Sequence, residues 1–241
     1  MDEGKGRARA APVNGMLDSI FTQYDRVVVL DTETTGIDCR RDEIIELAAV
    51  AVGPGGVEDE MDLLIRLTPG RRLPGMIVEL TGITEQMLAD EGCEKAQAAA
   101  RFAQMLQAPR TMMAAFNAQF DFTFLYFYLS RLGMADCLKN LGMLDILTVY
   151  KDRRPYPHKL KNAIESYNVA AENSHRAVDD AMAALLVLEA MREEHDDLMQ
   201  YRNLFGFNPK YGVSGPRIGS IHYAPQKYDP ELPLYALYAH V

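Results

Sequence analysis

The first predicted strand of this chain reads Val27-Val28-Val29-Leu30-Asp31-Thr32-Glu33-Thr34-Thr35-Gly36. An apolar run rich in β-branched residues and ended by turn formers predicts a short strand buried on both faces. Residues two apart on a strand point to the same side, so the carboxylates of Asp31 and Glu33 should project together. Adjacent carboxylates repel unless a cation lies between them, and Mg²⁺ prefers such oxygen ligands. The alternative is an ordinary polar turn, which Asp, Thr and Gly commonly form.

Length, charge and cysteine content limit the classes of protein to consider. The 241 residues suit one substantial domain with an extension, or two small domains, and 48% hydrophobic residues can form a real core. A net charge of −9 argues against a broad basic surface that coats nucleic acid, although it allows a local basic groove. The three cysteines form no C-x-x-C motif, which favours reduced thiols. No apolar run is long enough for a membrane span and the N-terminus lacks a signal-peptide core, so we expect a soluble, cytoplasmic protein.

Periodicity and turn residues predict three strands in a meander, followed by helices that alternate with two further strands. The predicted strands cover residues 27–30, 42–52, 58–67, 111–116 and 143–147. The predicted helices cover residues 77–80, 84–88, 95–107, 120–132, 158–167 and 178–194. This order indicates an α/β domain with a mixed sheet. We divide the chain into a flexible leader (1–21), this domain (22–195) and a C-terminal extension (196–241) rich in Tyr, Pro and Gly.

A second acidic signal follows the predicted strand at 111–116. Asn117 lies in the turn and Asp121 lies near the start of the next helix. An Asp at that position can cap the helix, and for an isolated Asp this is the simpler interpretation. Strand ends that lead into helices are also where α/β proteins assemble their sites, so Asp121 could approach Asp31 and Glu33.

The third acidic signal opens the last helix of the domain, at His175 to Ala181. Charged residues mark the polar face of that helix: Glu189, Arg192, Glu193 and Asp196. At about 100° per residue, Asp180 lies nearly opposite this face and Asp179 on its flank. A carboxylate directed inward is costly unless it is paired or binds a metal. His175 precedes the helix, where an imidazole could orient a water and take its proton. The alternative for His175 is an ordinary surface histidine, which is our interpretation of the other four histidines.

Together, three motifs of this chain resemble the ordered motifs of the DEDDh 3′–5′ exonucleases. They read Asp31-Thr-Glu33-Thr-Thr-Gly, Asn117-x-x-x-Asp121 and His175-x-x-x-x-Asp180-Ala. This family includes the proofreading subunit of bacterial DNA polymerase III, ribonuclease T and oligoribonuclease. The segments Glu43-Ile-Ile-Glu-Leu-Ala and Glu79-Leu-Thr-Gly-Ile-Thr84 resemble the proofreading branch. A sister group carries Tyr where this chain has Arg176, so the histidine version fits.

The resemblance implies a ribonuclease-H-like fold with a five-stranded sheet, and a role for each motif residue. Asp31, Glu33, Asp121 and Asp180 would hold two divalent ions, Mg²⁺ or Mn²⁺, and His175 would be the general base. Leu80 would pack against the 3′-terminal nucleotide. Thr34, Thr35 and Asn117 would lie near the substrate backbone. The product would be a 5′-mononucleotide released from a 3′ end.

Two further segments bear on substrate and partners. Lys151 to Lys161 is the densest basic stretch and contains a tyrosine, so Arg154 and Lys159 could clamp a phosphate backbone; a solvated charged loop explains the stretch equally well. Half of the 12 tyrosines lie from Tyr201 onward. Because disordered segments are poor in aromatic residues, we expect this extension to pack against the domain, extend the substrate groove or contact a partner.

The sequence therefore predicts a metal-dependent 3′–5′ exonuclease of the proofreading or repair type that acts on the 3′ end of DNA. Single-stranded or 3′-ended nucleic acid would be its substrate, and a DNA polymerase a possible partner. One alternative is an exoribonuclease that trims RNA. Another is a non-catalytic module that binds nucleic acid or a polymerase, although the presence of all four carboxylates and the histidine argues against a decayed site.

Overall fold

A mixed five-stranded sheet forms the centre of the computed structural model, which describes residues 18–171 and 176–238. Its strands are β1 (Arg26–Thr34), β2 (Ile44–Gly53), β3 (Gly56–Leu64), β4 (Thr111–Ala115) and β5 (Gly142–Asp145). They lie in the order β3-β2-β1-β4-β5. The first three are antiparallel neighbours, whereas β4 pairs in parallel with both β1 and β5. This topology confirms the predicted α/β class and the five-stranded mixed sheet.

Helices cover both faces of this sheet. They are α1 (Asp18–Phe21), α2 (Gly75–Thr81), α3 (Glu85–Asp90), α4 (Lys95–Met105), α5 (Ala118–Arg131), α6 (Ile146–Arg153), α7 (Leu160–Ser166) and α8 (Ala177–Glu194). Val27 and Val29 of β1 pack into a core with α6, α7 and α8, while the alternating Val28 and Leu30 pack into a second core with α4 and α5. Strand β1 is therefore buried on both faces, as its uniform apolar run predicts.

The predicted elements differ from the observed ones in two places. Helix α6 was not predicted, because the predicted strand at 143–147 runs past Asp145 and the basic stretch was treated as a loop. In the structure the Asp145 side chain accepts hydrogen bonds from the backbone N–H groups of Leu147 and Thr148, which ends β5 and starts α6 at once. At the other end of the chain, α1 lies inside the predicted leader, and its Ile20 is fully buried. Residues 1–17 of that leader lie outside the described residues.

The C-terminal extension packs on the domain, which confirms that expectation. It forms a small parallel sheet of β6 (Leu204–Phe207) and β7 (His222–Pro225), with short 3₁₀ turns at Leu198–Tyr201 and Leu234–Leu237. The backbone N–H of Asn203 donates to the carbonyl of Met143 on β5. Tyr201 and Phe205 are almost fully buried in the two cores. Among the described helices, none combines the length and apolar character needed to cross a bilayer.

Candidate active site

Three carboxylates from two elements meet at the carboxyl end of β1. Asp31 and Glu33 project from the face of β1 that packs against α8, and Asp180 comes from the first turn of that helix. One carboxylate oxygen from each residue lies within 4.8 Å of the other two. Asp180 is buried at 6% exposure, as the helical periodicity predicts. We call these three residues the acidic cluster.

Asp121 approaches from the other side of β1. Its carboxylate accepts a 2.7 Å hydrogen bond from the hydroxyl of Thr32, whose side chain points to the face opposite Asp31 and Glu33. Asp121 is buried at 3% exposure and lies outside the set of three that fits within 4.8 Å. Its charge nevertheless reaches the acidic cluster, because it is the strongest electrostatic influence on Asp31.

A left-handed residue and a buried carboxylate set the position of Asp121. Asn117 adopts φ 75° between β4 and α5, a conformation that Asn tolerates better than most residues. The backbone N–H groups of Asn117 and Ala118 both donate to Asp145 at 3.0–3.1 Å. Since Asp145 also caps α6, one carboxylate fixes the starts of two helices. The sequence analysis missed Asp145; an Asp that ends a predicted strand could have indicated such a cap.

Burial and mutual repulsion raise the pKa values of the site carboxyls. Burial, followed by the charge of Asp121, raises the pKa of Asp31 well above its ordinary value. Burial, followed by the charge of Glu46, raises the pKa of Glu33 to about 8. Burial raises the pKa of Asp121 to about 7, although the hydrogen bond from Thr32 opposes the change. The protein thus holds negative charge where it is costly.

Glu46 on β2 is a second residue that the sequence analysis missed. It has no exposed surface and pairs in register with Glu33. Its carboxylate accepts hydrogen bonds from the guanidinium of Arg176 at 2.5–2.9 Å and from the backbone N–H of Ala177 at 2.9 Å. Glu46 therefore holds the start of α8, and with it Asp180, against the sheet. A single charged residue inside the fully apolar strand β2 was the available signal.

The other predicted residues occupy varied environments. The Thr34 hydroxyl donates to the carbonyl of Gly36, and the Thr35 hydroxyl donates to Asp42, so both side chains hold the turn after β1. Leu80 on α2 is half exposed, at 50%. His175 lies outside the described residues, although its neighbour Arg176 lies within them.

The basic stretch mainly joins α6 to the end of α8. The guanidinium of Arg154 pairs with Glu194 at 2.5 Å and lies 4.6 Å above the ring of Tyr167. Arg153 pairs with Asp197 and donates to the carbonyl of His195. Lys159, in contrast, is exposed. These contacts favour a structural role for the arginines and leave Lys159 available to solvent.

One interpretation of α8 was wrong. Glu189, assigned to the polar face, is buried at 8% exposure, and burial raises its pKa to about 7. Helix α8 contacts β1, β2, α6 and α7, so it is covered on most sides. Periodicity identifies a solvent face only when one exists.

The acidic cluster fits a hard divalent cation. Its donors are all carboxylate oxygens, the ligands that Mg²⁺ and Mn²⁺ prefer. Within the described part of the chain, neither Asp31 nor Glu33 forms an ion pair with a Lys or Arg. A bound cation would remove the repulsion that raises their pKa values.

Comparison with known proteins agrees with this geometry. A family model described as an exonuclease, RNase_T, matches residues 28–188. The chain is 31% identical over 203 residues to a PolC-type DNA polymerase III of Clostridium perfringens, and 33% identical over 186 residues to that of Bacillus subtilis. These matches cover 83% and 75% of this chain but only 13% and 12% of the relatives, so the chain spans about an eighth of their length.

Solved structures share the fold at lower identity. Exonuclease I of Methylocaldum szegediense aligns with a TM-score of 0.64 and 21% identity, over 73% of this chain and 42% of that one. Exonuclease I of E. coli in complex with a dT13 oligonucleotide aligns with a TM-score of 0.66 and 20% identity, over 73% of this chain and 43% of that one. A zinc-bound form of the E. coli protein with single-stranded DNA aligns equally well.

Proposed function

The chain belongs to the exonuclease family whose model matches residues 28–188, and from this premise we propose that it is a metal-dependent 3′–5′ exonuclease that removes 5′-mononucleotides from the 3′ end of single-stranded DNA. One observation carries the proposal: carboxylate oxygens from β1 and α8 converge within 4.8 Å at a buried position. The sheet would tolerate such a repulsive arrangement at the mouth of its central strand if a cation normally occupies it.

The proposed reaction is hydrolysis of the terminal phosphodiester. When bound, two divalent ions supply the positive charge that stabilises the attacking and leaving oxygens. Asp31, Glu33 and Asp180 would hold these ions, together with Asp121. We propose that His175 takes a proton from the attacking water. The water oxygen bonds to phosphorus, the P–O3′ bond breaks, and the departing 3′ oxygen receives a proton.

The residues around the acidic cluster would orient the substrate. Leu80 is an apolar side chain half exposed on α2, and we propose that it packs against the 3′-terminal base. Thr34 and Thr35 fix the turn after β1, so their backbone would present a rigid surface to the substrate. Asn117, at the start of α5, would contact the sugar–phosphate backbone.

DNA as the substrate, a DNA polymerase as a partner and a cytoplasmic location rest on similarity. The PolC-type relatives are DNA polymerases by name, and the E. coli structure contains a deoxythymidine oligonucleotide. A DNA polymerase is therefore the protein partner that we propose, with gel filtration of the mixture as its test. Three free cysteines agree with a reducing compartment.

End-labelled oligonucleotides test the proposed activity. A 5′-labelled single strand should shorten to a ladder of products in Mg²⁺ or Mn²⁺, whereas a 3′-labelled strand should release labelled mononucleotide at once. EDTA, Asp180→Asn and His175→Ala should each abolish both results. RNA strands of the same sequence, run in parallel, should be degraded more slowly. Equal stability of the DNA with wild type and with both variants would refute the exonuclease and favour a binding module.

A further inference from the structure

The C-terminal extension has a charge pattern unlike the rest of the chain. No Asp or Glu lies between Asp197 and Asp229, although the whole protein carries a net charge of −9. The same segment contains four basic residues, Arg202, Lys210, Arg217 and Lys227. An acid-free, cationic segment in an acidic protein is suited to bind a polyanion.

Cations and aromatic rings lie together on part of this segment. The Lys210 ammonium lies 5.0 Å from the centre of the Tyr211 ring. The Arg217 guanidinium lies 4.9 Å from the Tyr223 ring and 6.0 Å from the Phe207 ring. Lys210, Tyr211 and Arg217 are exposed, and Tyr211 retains 74% of its accessible surface. We call these five residues the extension surface.

Hydrogen bonds join the extension surface to the helix that carries Asp121. The Tyr223 hydroxyl donates to the Gln119 side chain at 2.6 Å, and Gln119 donates in turn to the carbonyl of Pro216 at 2.6 Å. Gln119 lies in the first turn of α5, two residues before Asp121 and so about 3 Å away along the helix axis. The loop that carries Arg217 is therefore fixed relative to the active site.

An apolar cavity of about 530 Å³ lies between α5 and this loop. Its lining includes Phe122, Tyr126, Phe127 and Ile218, and Arg217 lies at its wall. The volume is in the range of small-molecule sites. Aromatic walls beside a cation suit the flat face of a base and its adjoining phosphate.

We propose that the extension surface binds the single-stranded substrate on the 5′ side of the nucleotide being removed. This inference rests on the proposed exonuclease function. With the 3′ end at the acidic cluster, the remaining strand must leave on its 5′ side, and α5 connects that site to the extension. Lys210 and Arg217 contact phosphates, while Tyr211 and the adjacent cavity accept unstacked bases.

Substrate length separates this role from catalysis. The test compares wild type with Lys210→Ala/Arg217→Ala on a dinucleotide and on a single strand of about 20 nucleotides, longer than the about 4–16 nucleotides covered by a single-strand-binding fold. The double variant should raise KM for the long strand about tenfold and lower the slope of log KM against log salt concentration by about 2. Its kcat/KM for the dinucleotide should stay within about twofold of wild type, since the active site is intact.

The matched control is Arg66→Ala/Arg110→Ala, which removes two exposed cations paired with Glu94 and Asp25. It should degrade the long strand as wild type does, and Arg217→Lys alone should retain most of the effect of the native residue. Thermal melting establishes that each variant is folded. Binding of a labelled long strand in EDTA, measured by fluorescence anisotropy, should weaken only in the Lys210/Arg217 variant.

Each result has a distinct meaning. Wild-type KM, salt slope and EDTA binding in the Lys210/Arg217 variant would overturn the extension surface as a DNA site, and would indicate a contact with protein. Failure of wild type to cleave even the dinucleotide would overturn the proposed function. In that case the anisotropy measurement still decides whether the extension surface binds DNA.

Discussion

At the scale of single residues, the acidic cluster makes the metal-free protein sensitive to pH. The pKa of Glu33 is raised to about 8 and that of Asp121 to about 7, so the folded protein binds these protons more tightly than the unfolded chain does. The free energy of unfolding in EDTA should therefore fall as the pH rises from about 5 to about 8. We expect a loss of roughly 2–4 kcal/mol, measured by urea unfolding across that range.

Saturating Mg²⁺ should remove most of this pH dependence, because the cation replaces the protons in neutralising the site. Glu189, with a pKa raised to about 7, contributes a loss of the same sign that metal does not remove. The informative quantity is consequently the difference between the curves in EDTA and in Mg²⁺. Carboxyls with a lowered pKa, such as Glu43, titrate below this range. Parallel curves in EDTA and Mg²⁺ would show that no ion binds the acidic cluster.

Two neighbouring aspartates allow a matched test of metal binding. Mn²⁺ at about 100 times its dissociation constant should raise the melting temperature of wild type by roughly 5–10 °C. Asp180→Asn should abolish most of this shift, because Asp180 belongs to the acidic cluster. Asp179→Asn removes the same charge one residue away, on the flank of the helix, and should keep the shift. An equal loss in both variants would indicate a general charge effect, measured here by differential scanning calorimetry.

At the scale of elements, Glu46 connects the sheet to the start of α8. Glu46→Gln would leave the Arg176 charge without its carboxylate, and charged hydrogen bonds of this kind contribute about 1.5–3 kcal/mol. We expect a comparable loss of stability and a kcat about tenfold lower, with KM nearly unchanged, because Asp180 and the residue that precedes Arg176 lose their position. Urea unfolding and steady-state kinetics on a short single strand measure the two effects.

The control for Glu46 is Glu58→Gln, which breaks another Glu–Arg pair, with Arg26, on β3 away from the site. That pair is partly exposed and should contribute less than about 1 kcal/mol, without any change in kcat. If Glu46→Gln lowers stability but leaves kcat at the wild-type value, Glu46 stabilises the fold and does not position the site.

Sequence reasoning succeeded where an element presents a clear pattern and failed where burial removes it. The apolar run of β1 and the inward position of Asp180 were both predictable, because a strand end and a helix face follow fixed periods. Helix α6 and the burial of Glu189 were not, since elements covered on most sides show no polar face. Glu46 and Asp145 act through partners far along the chain, and no local pattern encodes that pairing.

At the scale of the whole molecule, the C-terminal extension completes the core of the domain. Its Tyr201 and Leu204 share one core with Val27 and Val29 of β1, and Phe205 belongs to the other. The extension therefore stabilises the same sheet whose central strand carries the site. Sequence composition indicated that this segment packs, but could not show where, because the contacts join residues about 50 to 100 positions apart.

A single hydrogen bond tests this dependence. The Tyr201 hydroxyl donates to Asp152 at 2.6 Å, and the backbone N–H of Leu234 donates to the same carboxylate oxygen. Tyr201→Phe keeps the buried ring but withdraws one donor from a buried carboxylate, so the free energy of unfolding should fall by about 1.5–3 kcal/mol. Tyr211→Phe, at a position 74% exposed, removes a hydroxyl from solvent and should cost less than about 0.5 kcal/mol. Urea unfolding that shows a single transition, shifted only in Tyr201→Phe, would mean that extension and domain unfold together; a second transition would mean that the extension unfolds alone.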